Sequence, residues 1–138
     1  MNRLQEIEAR LAAIANEIEQ RGAELTAEQL TAFETEVNNL KTERAGLMAA
    51  AETYAQELGL AFQIRDDMLD VCGDAAEFGK PIGSDKEEGK VTFMDLLGLE
   101  GCGRAVRAHT EAAKAAVADW DTDGILAALA DSLAERNK

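Results

Sequence analysis

A long stretch without helix-breaking residues limits the folds open to this chain. Its single proline is Pro81, so the first 80 residues contain none. Proline inside a helix removes a backbone hydrogen bond and clashes with the preceding turn, and its absence leaves a long helix possible. We expect one helix from about Ala27 to about Val71, with Gly59 tolerated inside it.

Residues 1–50 show the apolar spacing of two short coiled-coil helices. Gly22 separates the two halves, and Thr26, three residues before Gln29, is a capping-box signature for a new helix. We predict an antiparallel coiled-coil hairpin over these residues. The two seams are Leu4, Ile7, Leu11, Ile14 and Ile18, then Leu30, Phe33, Val37, Leu40 and Leu47.

Composition narrows the class of protein further. The chain has 138 residues, 46% of them hydrophobic, and a formal net charge of −13. Ala, Leu and Glu dominate, which favours an all-α fold, and the charge argues against nucleic acid or an anionic membrane as partner. No apolar run approaches the ~20 residues of a membrane span. Cys72 and Cys102 lack metal-type spacing, so we expect free thiols and a cytoplasmic location.

Three carboxylates follow an apolar, helix-like run near the middle of the chain. Asp66, Asp67 and Asp70 stand at i, i+1 and i+4, so a helix places them close together. Close carboxylates repel unless a cation holds them, and oxygen ligands of this kind favour Mg²⁺. The alternative interpretation is a solvated acidic helix end.

A glycine-rich loop comes next and carries lysines. Lys80 and Lys90 follow the acidic cluster, and a lysine ammonium is suited to phosphate oxygens. A carboxylate cluster followed by a lysine loop fits a site for a metal and a diphosphate. Solvated loop charges are the alternative.

These motifs together resemble the second aspartate-rich motif of the trans-isoprenyl diphosphate synthases, which make farnesyl and geranylgeranyl diphosphate. The similarity runs from residue 51 to residue 138. The matching residues are Phe62-Gln63-x-x-Asp66-Asp67-x-x-Asp70, Gly73-Asp74, Gly79-Lys80-Pro81-x-Gly83-Ser84-Asp85 and Gly89-Lys90.

The resemblance implies part of an isoprenoid-synthase helical bundle and a prenyl transfer from an allylic diphosphate to isopentenyl diphosphate. It implies Mg²⁺ as the cofactor and an allylic diphosphate as a ligand. By position, the metal would be held by Asp66, Asp67 and Asp70, the diphosphate by Lys80 and Lys90, and the substrate would lie near Gln63 and Phe62.

The resemblance is incomplete at the first aspartate-rich motif of the family, which should lie upstream. The chain has no aspartate before Asp66. We therefore expect that these 138 residues do not catalyse prenyl transfer by themselves, and we assign no catalytic residue.

The first segment resembles a different family. Residues 1–50 are similar to the N-terminal helical segment of tailed-phage major capsid proteins, which helps assembly. The stretch from Arg21 to Gln29, continued by Phe33, Val37 and Leu40, carries this resemblance. This resemblance implies self-association of residues 1–50 as a dimer or larger assembly. The apolar face from Leu58 to Leu69 points the same way, because we expect the hairpin or a second copy to cover it.

Three hypotheses for the function remain open. The chain is a synthase-like fragment with a Mg²⁺/diphosphate half-site, a non-catalytic helical oligomerisation module from a gene fusion, or a subunit complemented by another chain.

The remaining expectations concern the C-terminal part of the chain. We expect Gly73 to end the long helix, Thr92 to cap a short helix through Gly98, and a further helix over residues 100–120. A last helix should start at Thr122 or Asp123, with a frayed tail over residues 135–138. His109 and Trp120 are expected to have no role in a site.

Overall fold

The computed structural model describes residues 2–72, 89 and 91–137. These residues form four α-helices and no strand, so the predicted all-α class is confirmed. The helices are α1 (Arg3–Arg21), α2 (Ala27–Cys72), α3 (Phe93–Val117) and α4 (Ile125–Glu135). No helix in the described ranges is both long and apolar enough to cross a membrane. Internal contacts divide the chain into unit 1 (Met1–Ala50) and unit 2 (Ala51–Lys138).

Three helices start at the polar side chains that cap their free backbone N–H groups. The predicted cap at Thr26 is confirmed, because its hydroxyl accepts a hydrogen bond from the Gln29 amide at 3.1 Å. Thr92 caps α3 in the same way together with Asp95, as expected. Asn2 forms a third capping box, with the side chain three residues later. Such caps satisfy donors that the first helical turn leaves unpaired.

Unit 1 is a pair of antiparallel helices joined by residues 22–26. Ion pairs between the two helices fix the direction, since residues early in α1 pair with residues late in this part of α2. In the described part of unit 1 only Ile7 and Ile14 are buried. The coiled-coil character and the self-association of this unit remain predictions. The pairs are Arg3–Glu43, Arg10–Glu36 and Glu8–Arg44.

Unit 2 packs the second half of α2 against α3 and α4. One buried cluster joins Tyr54 of α2 to Val117 and Ala130, and the Tyr54 hydroxyl donates to the Leu126 carbonyl at 2.7 Å. Trp120 packs against this cluster, as expected. A second cluster lies further along α2 and consists of Ile64, Met68, Cys102 and Val106.

The apolar run of α2 is buried within unit 2 to a greater extent than we expected. Ile64, Met68 and Leu69 are buried and Leu58 is half-buried, while Leu60 and Phe62 stay exposed. The helices that follow in the chain therefore cover one side of the run. In the described part of unit 2, the side of the run that carries Leu60 and Phe62 is exposed.

The helix boundaries after residue 91 differ in detail from the sequence expectations. Gly98 breaks the helical backbone with φ 68° and ψ 175°, which confirms a break there. Helix α3 ends at Val117 instead of Trp120, and α4 starts at Ile125 rather than at Thr122 or Asp123. The expected end of α2 at Gly73 and the loop of residues 73–88 lie outside the described residues.

Helix α4 starts later than predicted because its first amides are capped by Asp121, which lies before the turn that leads into the helix. The carboxylate of Asp121 accepts hydrogen bonds from the amides of Leu126 at 3.1 Å and Ala127 at 2.9 Å. Gly124 adopts a left-handed conformation, with φ 71°, that turns the chain into the helix. Because Asp121 lies five and six residues before the amides that it binds, no short capping motif in the sequence predicts this cap.

Candidate functional site

A groove of about 350 Å³ lies between the last turns of α2 and the start of α3. Three of the predicted site residues, Gln63, Asp66 and Asp67, line its α2 side. They share this side because they lie three and four residues apart on one helix. The α3 side is formed by Val91, Thr92, Phe93 and Leu96.

Asp67 is held in place by the first turn of α3. Its Oδ2 atom accepts a hydrogen bond from the backbone N–H of Phe93 at 2.8 Å. Free amides at a helix N-terminus carry partial positive charge, so this position favours a carboxylate. Its negative charge also reaches the core behind the groove, where burial first and Asp67 second raise the pKa of the Cys102 thiol.

Asp66 is paired with a residue from the C-terminal end of the described chain. Its Oδ1 atom lies 3.3 Å from Nη2 of Arg136. The guanidinium of Arg136 also lies over the Phe62 ring, with its central carbon 4.2 Å from the ring centre. Arg65 donates two hydrogen bonds to the Arg136 carbonyl, at 2.9 and 3.0 Å. The expectation of a frayed tail is therefore wrong at Arg136, because these contacts fasten it.

Asp70 differs from the other two carboxylates of the motif because it is buried. It is 5% exposed and does not line the groove. In the ranges that the structure describes, no three His, Cys, Asp or Glu side chains converge as a metal-binding group. Two carboxylates of the acidic motif, Asp66 and Asp67, thus line the groove, and Asp70 is buried.

The donor set of the groove fits Mg²⁺. This ion usually takes one or two protein carboxylates and completes its coordination with water and phosphate oxygens. Asp66 and Asp67 each use one carboxylate oxygen on a donor of the described chain, Arg136 and the Phe93 amide. Among the described residues, no hydrogen bond is found to the second oxygen of either carboxylate, which leaves it for a cation.

The other predicted ligands lie elsewhere. Lys80 and Lys90 are outside the described residues. Phe62 lines a second groove of about 650 Å³ whose other lining residues are mostly apolar, and Gln63 lines both grooves. The apolar members of the second groove include Tyr54, Leu58, Leu60 and Leu133.

Two polar contacts of unit 2 were not foreseen from the sequence. The Nδ1 atom of His109 lies 2.5 Å from the Glu57 carboxylate, and this contact joins α3 to α2. Lys114 contacts Asp131 at 3.1 Å and joins α3 to α4. No spacing rule links either pair, because the partners lie on different helices.

Most of the chain is similar in sequence to a known protein family. The sequence model of the polyprenyl synthetase family matches residues 8–122. The chain belongs to the polyprenyl synthetase family. The match begins inside unit 1, covers all of α3 and ends before α4.

Curated members of the polyprenyl synthetase family resemble the chain over part of its length. A farnesyl diphosphate synthase of Geobacillus stearothermophilus is 42% identical over 62% of this chain and 29% of its own length. The Escherichia coli farnesyl diphosphate synthase is 44% identical over 63% of this chain and 30% of its own length. An Arabidopsis thaliana protein is 36% identical over 62% of this chain and 23% of its own length, and its name is heterodimeric geranylgeranyl pyrophosphate synthase large subunit 2. The matches therefore cover less than a third of these relatives.

Proposed function

We propose that this chain carries one half of the Mg²⁺/diphosphate site of a trans-isoprenyl diphosphate synthase. The observation that carries the proposal is the groove in which Gln63, Asp66 and Asp67 face the start of α3. Two carboxylates for a cation beside the positive end of a helix suit a metal-bound anion. The names of the curated relatives, farnesyl diphosphate synthases, support a diphosphate as that anion.

Each residue of the groove has a distinct task in this proposal. Asp66 and Asp67 bind the metal, and the Phe93 amide orients Asp67 through its 2.8 Å hydrogen bond. Lys80 and Lys90 contribute positive charge toward the diphosphate. When bound, Mg²⁺ supplies Lewis-acid stabilisation of the negative charge on the diphosphate leaving group.

The apolar groove supports an allylic ligand with a hydrocarbon tail. Gln63 lines both grooves, so the polar site and the apolar surface of Phe62, Leu58 and Leu60 adjoin each other at one side chain. Ligand sites of this kind combine an apolar wall with a few polar groups that fix orientation. We assign the diphosphate to the first groove and the start of the prenyl chain to the second.

We further propose that the 138-residue polypeptide does not transfer prenyl groups alone. It contains a single aspartate-rich motif, and the family resemblance places the allylic diphosphate between two such motifs. A polypeptide segment with the other motif would complete the site. The Arabidopsis relative, whose name describes one subunit of a heterodimer, supports this type of assembly.

The competing function is a non-catalytic helical oligomerisation module. The observation that favours it is the poor burial of unit 1, where only Ile7 and Ile14 of the described residues are buried. A two-helix hairpin of this kind gains more stability by association than alone. This module predicts self-association without any Mg²⁺-dependent diphosphate binding.

Calorimetric titration distinguishes these functions. We expect a non-hydrolysable allylic diphosphate analogue to bind the purified chain with Mg²⁺ and not with excess chelator. Asp67→Asn is the matched variant, because an asparagine oxygen still accepts the Phe93 hydrogen bond while the charge is lost. Binding that is independent of Mg²⁺, or unchanged in Asp67→Asn, contradicts the half-site.

A radiochemical assay tests the need for a second chain. We expect no chain elongation when pure protein is incubated with Mg²⁺, an allylic diphosphate and labelled isopentenyl diphosphate. Addition of a homologue that carries only the first aspartate-rich motif should restore product. Elongation by the pure 138-residue protein would refute this part of the proposal.

A further inference from the structure

Thr92 is a buried groove residue whose side chain is engaged at the start of α3. Its hydroxyl accepts a hydrogen bond from the Asp95 backbone N–H at 3.3 Å and donates one to the Asp95 Oδ2 atom at 3.2 Å. The same Oδ2 atom accepts a hydrogen bond from the Thr92 backbone N–H at 3.0 Å. These bonds form a capping box, which fixes the backbone of the first helical turn. Thr92 therefore shapes the groove through the backbone that follows it.

The first amide of that turn is the one that holds Asp67. Phe93 follows Thr92 directly, and its N–H donates to the Oδ2 atom of Asp67 at 2.8 Å. An amide at a helix N-terminus keeps its direction only while the first turn keeps its helical backbone. The hydroxyl of Thr92 and the carboxylate of Asp67 are thus linked through a short piece of backbone, although Asp67 belongs to α2 and Thr92 caps α3.

The hydrogen bond from Phe93 limits how Asp67 can bind a cation. Bidentate binding turns both oxygens of a carboxylate toward the ion, whereas Oδ2 of Asp67 is turned toward the Phe93 amide. Among the described residues, Oδ1 of Asp67 accepts no hydrogen bond and is the oxygen left for a cation. Mg²⁺ requires a compact octahedral shell, while Ca²⁺ takes a larger shell of oxygens, often with both from one carboxylate. A carboxylate held in this way therefore favours Mg²⁺ over Ca²⁺, compared with one that turns freely.

We propose that Thr92 is a positioning residue of the metal site and raises its preference for Mg²⁺ over Ca²⁺. Its cap holds the first turn of α3, the turn holds the Phe93 amide, and the amide keeps Asp67 to a single metal-binding oxygen. Loss of the Thr92 hydroxyl releases the amide and lets Asp67 offer both oxygens, so the site accepts Ca²⁺ more readily. This inference rests on the proposed function, because it assumes that Asp67 is a metal ligand.

Separate titrations of the whole chain with MgCl₂ and with CaCl₂, followed by the Asp67 amide signal in ¹H–¹⁵N NMR spectra, measure this preference. We expect Thr92→Val to lower the ratio of the Kd for Ca²⁺ to the Kd for Mg²⁺ about two- to tenfold, the factor that one N-cap contributes to a helix end. Thr92→Ser keeps the hydroxyl and should keep the wild-type ratio. Thr92→Gly also lacks the hydroxyl but keeps the chain folded, because glycine is tolerated at an N-cap, and it should lower the ratio as well.

A second helix cap of the chain separates positioning from a general loss of stability. Thr26→Val is the matched control, because Thr26 caps the start of α2 with the same kind of box and does not line the groove. It removes the same hydroxyl from the same position of a helix and should leave the ratio of the two Kd values unchanged. A wild-type ratio in Thr92→Val and Thr92→Gly, or an equal fall in Thr92→Ser or Thr26→Val, would overturn this inference alone. Absence of Mg²⁺ binding in the wild type and in every variant would overturn the proposed function together with it.

Discussion

Burial separates the chemistry of the two cysteines, which the sequence presents as equivalent. Cys72 is exposed at the end of α2, whereas Cys102 is fully buried in the second core cluster. Burial, and to a smaller extent the charge of Asp67, raises the pKa of the Cys102 thiol. The thiolate is the reactive form, so both accessibility and ionisation protect Cys102.

We predict that one thiol per chain reacts with an aromatic disulfide reagent at pH 8 in the native protein. Mass spectrometry should place the label on Cys72, and Cys102 should react only after denaturant is added. Cys72→Ser is the control and should show no native labelling. Equal rates for both thiols would show that the second cluster is not packed as described.

Single residues also show how much of the site could be predicted from the sequence. The order of Phe62, Gln63, Asp66, Asp67 and Asp70 along α2 could be predicted, because it depends only on helical spacing. That Asp70 is buried while Asp66 and Asp67 line a groove with the start of α3 depends on tertiary packing, and spacing does not contain that information. Arg136 escaped prediction for the same reason, since its contacts lie 70 and 74 residues away in the chain.

The helices themselves were largely predictable because their ends have local causes. The expected span from Ala27 to about Val71 agrees with α2, and Thr26, Thr92 and Gly98 act at the expected places. The predicted start of α4 was wrong, because the capping residue Asp121 lies outside the turn that leads into the helix. A helix end whose cap is adjacent in sequence can thus be predicted from a local motif. A helix end whose cap comes from outside the turn depends on the tertiary structure.

The break in α3 gives a prediction at the scale of elements. Gly98 has φ 68° and ψ 175°, a region essentially closed to other residues. Gly98→Ala should lower the free energy of unfolding by about 1–3 kcal/mol. Gly59 lies inside α2, and a Cβ there meets nothing within 4 Å. Gly59→Ala should therefore raise the same free energy by about 0.5–1 kcal/mol, measured in urea.

The opposite sign in these two glycine variants is the decisive feature of the urea experiment. A neutral or stabilising Gly98→Ala would contradict the described backbone at the kink. A strongly destabilising Gly59→Ala would show that another surface packs against α2 at that position.

Ion pairs between the helices of unit 1 predict its response to acid. Hydrogen bonds from Arg10 and Arg3 lower the pKa values of Glu36 and Glu43 in the folded state. A lowered folded pKa contributes stability that is present above the unfolded pKa, about 4.3, and is lost as pH falls through the folded value. The helical signal of unit 1 should therefore weaken as the pH falls below about 4.3.

Glutamine substitution tests this assignment with a neighbouring control. Glu36→Gln should make the helix content, followed by circular dichroism, less dependent on pH between about 5 and 3. Glu34→Gln removes a glutamate two positions away for which no ion pair is found in the described residues, and it should keep the wild-type pH profile. Identical profiles for both variants would mean that the Arg10–Glu36 pair does not couple folding to protonation.

The two units of the molecule differ in the features that bear on function. Unit 2 contains the groove, the acidic motif and the ion pair between Arg136 and Asp66. Unit 1 contains a poorly buried apolar seam and no aspartate. We propose ligand binding for unit 2 and self-association for unit 1.

The central claim is that the groove of Asp66 and Asp67 binds a metal-bound diphosphate. The most direct test is thermal unfolding of the purified protein with and without Mg²⁺ plus a non-hydrolysable allylic diphosphate analogue. Ligand at about 100 times its dissociation constant should stabilise the fold by about 2.7 kcal/mol, a rise of several degrees in Tm. The shift should disappear in the Asp66→Asn/Asp67→Asn variant. An unchanged Tm in the wild type, or an equal shift in the variant, would contradict the claim and leave the acidic motif as part of a helical scaffold.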